Sequence, residues 1–217
     1  MTVLVEGNYL NDLLKWEMEN FQSREKVTVL SGQDLVMGEV IGKVVKSIPT
    51  GGTAGTNTGN GTCSGVSGGA KTKIGTYTLT CVATATNGGT FRVIDPDGYM
   101  LPNASVGVAY DHEQINFTIN DGATDFAEND TFSIEVAEGS GKVKAVDFDA
   151  VDGSQDAFGF MIAGCDASLA DVEGVAVVRD AQIVADYLSW PESATNGQKA
   201  AALDQFYDKG IVTRDEA

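Results

Sequence analysis

The chain has 217 residues, 42% of them apolar, which is enough for one large domain or two small ones with a real core. Its 31 acidic and 14 basic side chains leave a net charge of −17. That balance argues against a direct nucleic-acid role, which needs cations to displace phosphate counterions.

Residues 1–25 admit two readings. Leu10, Leu14, Met18 and Phe21 recur at helical spacing, and Asn8 is placed to cap such a helix. The same residues could instead form an extended arm that orders only against a partner. In both cases the segment keeps an exposed apolar side. Residues 26–30 alternate valine with lysine and threonine and predict a strand, closed by a turn at 31–34. Residues 38–46 predict a second strand, with Ile41 and Val45 on one face and Val40 and Val44 on the other. A strand apolar on both faces is expected inside a sheet.

Residues 49–69 are rich in glycine, threonine and serine and read as a linker. Within them, Gly65-Val-Ser-Gly-Gly69 spells the G-x-S-x-G pattern of a hydrolase nucleophile. The strand before it and helix after it that the chemistry requires are missing, and the single histidine, His112, has no reason to meet Ser67. Residues 73–137 then predict an all-β unit. Tyr77, Leu79 and Cys81 alternate after Ile74, as do Ile115, Phe117 and Ile119, and Phe132, Ile134 and Val136. Thr90 to Ile94 and Val106 to Tyr110 add two further strands. Short strands with regular turns indicate a small β-sandwich. Asp95, Asp97, Asp121 and Asp125 fall in its turns. Aspartate favours turns by hydrogen-bonding its own backbone, and EF-hand spacing is absent, so a turn role is expected over calcium. Asn60, Asn103, Asn116 and Asn129 each begin a glycosylation sequon, read as idle without an export signal.

Residues 138–141 form a return linker, and 142–148 resume strand character. Phe158 to Ile162 predicts a buried strand, and Gly174 to Val178 another. Arg179 and Asp180 interrupt it, and 181–188 continue it to Trp190-Pro191. Asn196 is expected to cap a helix over 197–209 that uses Ala201, Leu203, Phe206 and Tyr207 for contacts. Gly210 stops it in a left-handed conformation. The domain reading is a discontinuous β core, 26–47 with 141–217, preceded by an arm at 1–25. An inserted β-sandwich with its glycine-rich linker occupies 48–140.

Cys63, Cys81 and Cys165 form no Cys-x-x-Cys pair, so no zinc site of the usual Cys/His type is expected. No apolar run nears the about 20 residues a membrane helix needs. The N-terminus carries no basic region followed by an apolar stretch, so synthesis in a cytoplasm with reduced thiols is expected.

The sequence Ser23-Arg-Glu-Lys-Val-Thr-Val-Leu-Ser-Gly-Gln33 leads to Gly38-Glu-Val-Ile-Gly-Lys43. Then come Asp152-Gly-Ser-Gln155, Phe160-Met-Ile-Ala-Gly-Cys-Asp166, the valines up to Arg179, and Leu188-Ser-Trp-Pro191 before the helix. In this order and spacing they resemble the lambda-type bacteriophage head decoration protein family. The resemblance covers about half the chain, and 48–140 departs from the shortest members. It is similar to Ig-like modules on other phage surface proteins. The strand pattern makes the expected fold mainly β, a small core with a C-terminal helix interrupted by the inserted β-sandwich; no paired acid/base constellation points to an enzyme, and no cofactor or metal is expected. The resemblance implies a homotrimer at local three-fold positions outside the expanded capsid, stabilising it against internal DNA pressure. Its partner would be the major capsid protein, met by an N-terminal arm through strand addition. Val3, Leu4, Val5, Leu10, Leu14, Trp16, Phe21 and Arg24 are the expected capsid-binding residues. A different reading makes 73–137 a receptor- or glycan-binding module, with Tyr77, Tyr99, Tyr110 and Phe91 as a stacking surface, although alternating aromatics are more often core.

Overall fold

The computed structural model describes residues 9–214. The chain is mainly β, with one long helix near its C-terminus. It divides into two units, Met1–Val45 with Ser140–Ala217, and Lys46–Gly139. They are called here the split unit and the continuous unit.

The split unit is built on a small closed barrel. Its strands run in the order Val143–Ala145, Arg24–Val29, Val172–Val177, Ala157–Met161 and Val40–Lys43, which returns to the first. Only the contact between Val143–Ala145 and Arg24–Val29 is parallel. Closing five short strands leaves no free edge in the barrel itself. Val29, Ile41, Val143, Met161 and Ala176 are buried in one core with Leu35 and Ala167. The tight curvature demands glycine at Gly42, where a Cβ would lie 2.0 Å from the Ser154 carbonyl oxygen.

A second core lies beside the first and contains Leu13, Val40, Phe160, Ile183, Phe206 and Ile211. It packs the helix Asn196–Asp208 and a three-stranded sheet of Leu14–Glu17, Ala181–Ile183 and Ile211–Thr213. Thr195, not Asn196, caps the helix: its hydroxyl accepts from the Gln198 amide while the Gln198 side chain accepts from the Thr195 amide. This reciprocal pair satisfies two of the orphan donors of the first turn. The helix buries Ala202 and Phe206, whereas the expected Ala201 and Tyr207 face solvent. Gly210 ends it at φ +77°.

Two strand expectations are shortened, the first because the small barrel turns the chain away after a few residues, the second because its sheet partners Leu14–Glu17 and Ile211–Thr213 pair with it only over 181–183. The strand expected over 38–46 ends at Lys43, which leaves Val45 exposed. The strand expected from 181 to 188 ends at Ile183 and is followed by a 3-10 turn, Ala185–Tyr187. Asp180, at φ +50°, breaks the chain between Val172–Val177 and Ala181–Ile183 and sends them into different sheets.

The continuous unit is a two-sheet sandwich. One sheet has the order Met100–Ser105, Gly88–Ile94, Gly75–Ala85, Thr131–Glu138 and Lys46–Ser47, with Thr53–Ala54 also on Thr131–Glu138. The other has Ala109–Tyr110, Ile115–Asn120 and Thr62–Gly68. Both sheets feed one core: Tyr77, Leu79, Phe91, Phe132 and Ile134 from the first, Val66, Ile115, Phe117 and Ile119 from the second. Phe126 closes it edge-on to Phe91, with ring centroids 5.1 Å apart.

The linker reading of 49–69 is corrected here. Thr62–Gly68 is a paired strand, and it buries Cys63 and Val66. Their spacing of three hides the alternation, because Gly65 at φ +63° shifts the phase at an irregular register. The glycines answer packing rather than flexibility: a Cβ on Gly61 would lie 2.3 Å from the Phe126 ring and from the Asn120 carbonyl oxygen.

Candidate functional site: an apolar N-terminal surface on the split unit

The N-terminal segment is stitched to the split unit from residue 9 onward. A single helical turn, Leu10–Leu13, delivers Leu13 into the second core, where it is fully buried. Leu14–Glu17 then pairs antiparallel with Ala181–Ile183, and a second turn, Asn20–Ser23, leads into the barrel. The Val184 amide donates to the Leu13 carbonyl at 2.9 Å, and the Met18 amide to the Asp180 carbonyl at 3.0 Å. The buried Ser23 hydroxyl donates to the same Asp180 carbonyl at 2.9 Å. The chain is therefore neither one continuous helix nor a wholly extended segment over the described residues.

This attachment leaves one side uncovered. Leu14–Glu17 is an edge strand, with Ala181–Ile183 on its inner side only. Trp16 is 50% exposed and Phe21 75% exposed, and Tyr9 and Met18 are exposed as well. Beside them Arg24 makes a two-pronged pair with Glu17, Nε to Oε2 at 2.9 Å and Nη2 to Oε1 at 2.5 Å. Glu17's hydrogen bond holds the Arg24 guanidinium even more firmly charged than usual. Arg179 pairs with Glu25 and donates to the Gln22 carbonyl, which fixes the second turn. The arrangement offers a strand at the edge of its sheet, two large aromatics and a rigid base. Its chemistry is that of a surface that takes up an extended segment.

Of the expected binding residues, Trp16 and Phe21 lie on this surface, and Leu10 and Leu14 are half-buried at its margin. Arg24 is engaged by Glu17. Val3, Leu4 and Val5 lie outside the described residues. Sequence reasoning missed Leu13 as the anchor, because helical spacing from Leu10 selects Leu14. The signal available was the adjacent pair Leu13-Leu14, of which one must face inward.

The aromatic stacking surface expected on the continuous unit is not assembled. Tyr77, Phe91 and Tyr110 are core residues, and only Tyr99 is exposed. The Tyr77 hydroxyl accepts from the Lys73 amide and donates to Gln114 Oε1. Burial pushes the Tyr110 phenol up to about 12. Ser67 lies within a strand, opposite Asn116, so the strand-to-helix elbow of a hydrolase is not built there. Asp95 and Asp125 do turn work, whereas Asp121 Oδ1 is buried without a partner among the described residues. Asp95 accepts from the Asp97 and Tyr99 amides and from Lys73 Nζ. Burial alone would raise its carboxyl, but Lys73 and the backbone donors hold it below the usual range. Asp125 accepts from the Asn87 amide. Among the described residues, three or more potential metal ligands do not cluster, and no helix is long and apolar enough to cross a membrane.

A family model described as bacteriophage lambda head decoration protein D matches residues 3–211. No curated protein matches the chain. Two crystal forms of Xanthomonas campestris FlgL overlap it. One is 18% identical over 81% of this chain and 44% of that one, with a TM-score of 0.33. The other is 16% identical over 54% and 33%, with a TM-score of 0.30. The chain thus spans less than half the length of those proteins, and overlaps this loose do not indicate a shared fold.

Proposed function

Because the chain belongs to the bacteriophage lambda head decoration protein D family, we propose that it binds the outside of an expanded phage capsid as a trimer at local three-fold positions. There it stabilises the shell against internal DNA pressure, as a structural component and not as an enzyme. The observation that supports this contact most directly is the edge strand Leu14–Glu17 with Trp16 and Phe21 exposed beside it. A segment of the major capsid protein adds to that edge. Its main chain supplies hydrogen bonds, and the two aromatics supply desolvation energy of about 1.5–3 kcal/mol each. Three copies in one trimer engage together, so effective concentration multiplies a modest single contact. Residues 46–139 act as an inserted domain that the core carries on the particle surface.

The test is co-sedimentation with expanded capsids of the phage that encodes the chain. Removing residues 2–22 would strip Leu13 from the core, so the informative variant is Trp16→Ser with Phe21→Ser. Both side chains are largely exposed, and folding is expected to survive. Capsid occupancy should fall at least tenfold. Full occupancy by this variant would place the attachment surface elsewhere on the core. Sedimentation velocity of the free protein across a dilution series tests the trimer separately.

A further inference from the structure

The outer face of the larger sheet in the continuous unit has an unusual make-up. On Gly75–Ala85 the buried Tyr77, Leu79 and Cys81 point inward, which sets Thr76, Thr78 and Thr80 on the outer face. The same alternation places Arg92 and Ile94 there from the next strand, and Thr131, Ser133 and Glu135 from the strand on the other side. The register lines these up in rows. Arg92 stands opposite Thr80, and Thr80 opposite Thr131. A second row crosses five strands through Met100, Ile94, Thr78, Ser133 and Thr53. At about 4.8 Å between strands, that row is about 19 Å long.

Charge on this face is local and sparse. Apart from Glu135 and Glu138, every carboxylate of residues 48–140 lies in a turn or connection. The unit's three lysines are all engaged: Lys46 with the Thr72 carbonyl, Lys71 with Glu113, Lys73 with Asp95 and Asp97. Arg92 is not. Its Nε is buried and donates to nothing. Such an enclosed N–H without an acceptor is the exception in folded proteins, and with Nε shut in it is the Nη ends of the guanidinium, hydrogen-bonded to no group among the described residues, that stand open to a partner.

We propose that this face binds an anionic polysaccharide, with Arg92 holding a carboxylate or sulfate of the polymer in its planar fork. The hydroxyls of Thr78, Thr80, Thr131 and Ser133 take the sugar hydroxyls, and Ile94 and Met100 lie under the apolar side of a ring. The rows are open and extended, which suits a polymer better than a small molecule that needs an enclosed pocket. A protein partner fits poorly, because the apolar side chains of the rows, Ile94 and Met100, sit together at one end among hydroxyls and no aromatic belongs to the rows to anchor an interface.

The experiment is retention of the full-length protein on alginate, dextran sulfate and neutral dextran columns at low salt. With a net charge of −17, the protein is repelled from an acidic matrix unless a specific site holds it. Retention on alginate or dextran sulfate but not on dextran is expected, and the two acidic matrices distinguish carboxylate from sulfate. Arg92→Gln should weaken retention at least tenfold, and Thr78→Val with Thr80→Val several-fold, with unchanged melting curves. Arg92→Lys keeps the charge without the fork and covers the case in which Arg92→Gln misfolds; its retention should be intermediate. The proposal is overturned if neither acidic matrix retains the wild type, or if Arg92→Gln or a folded Arg92→Lys is retained as well as wild type. Arg92-dependent retention on polyglutamate alone would also overturn it, since the partner would then be an acidic protein.

Discussion

In the continuous unit, the principal strands are six to eleven residues long and most alternate regularly, so a single core takes nearly every inward side chain. In the split unit the barrel strands are three to six residues long, and two separate cores share the work. The difference follows from closure. A wide sandwich lets a strand run on with its period of two intact. A five-stranded barrel turns so sharply that a strand leaves one layer after a few residues. Its neighbours along the chain, such as Val177 and Ala181, then serve other sheets. The split unit is therefore held together by contacts distant in sequence: Leu13 and Phe206 occupy one core from opposite ends of the chain.

The largest effect should come from cutting one core at a time. Phe132→Ala in the continuous unit and Phe160→Ala in the split unit each remove a fully buried ring. Each should cost about 3–5 kcal/mol in its own unit. Calorimetry of the full chain should show two transitions, with each variant lowering only one. A single transition that both variants shift would break the division into two units. A somewhat smaller effect is expected at the N-terminal anchor. Leu13→Ala should destabilise the split unit by about 2–5 kcal/mol, read as a shift of its urea midpoint. An unchanged midpoint would mean that the segment before Arg24 is not part of that core.

The smallest effect sharpens the comparison through pH. Asp130 is buried in the continuous unit, and its carboxylate accepts from the Thr58, Gly59 and Ala127 amides. Burial pushes its pKa up, but the three backbone donors pull it below the ordinary aspartate value. A depressed folded-state pKa stabilises above the unfolded value of about 3.9. That contribution is lost as pH falls through the folded value. Asp130→Asn should cost the continuous unit about 1–3 kcal/mol at neutral pH. It should also flatten that unit's acid unfolding below pH 4, followed by tryptophan-independent circular dichroism, since both tryptophans lie in the split unit. An unchanged acid profile would mean that Asp130 does not tie 58–59 to the sandwich.

Much of the continuous unit was legible in the chain. Phe132, Ile134 and Val136, and Ile115, Phe117 and Ile119, are buried as their alternation requires, because a strand covered on one side must repeat with period two. The stop of the terminal helix at Gly210 was equally local: few residues but glycine accept that backbone angle without strain. Local signals failed wherever a distant neighbour set the rule. The stretch 49–69 reads as a flexible linker because the demand for glycine at Gly59 and Gly61, just before Thr62–Gly68, comes from Phe126 and Asn120, about 60 residues further along the chain. The same holds at the candidate site. The sequence by itself determined that the first 25 residues carry apolar side chains in need of cover. Only the tertiary structure decided which are covered. Ala181–Ile183 and the second core claim Leu13, and the strand edge leaves Trp16 and Phe21 exposed. Hydrophobicity sets how much surface must be buried, and it is the pairing partner, remote in sequence, that fixes which face is turned inward.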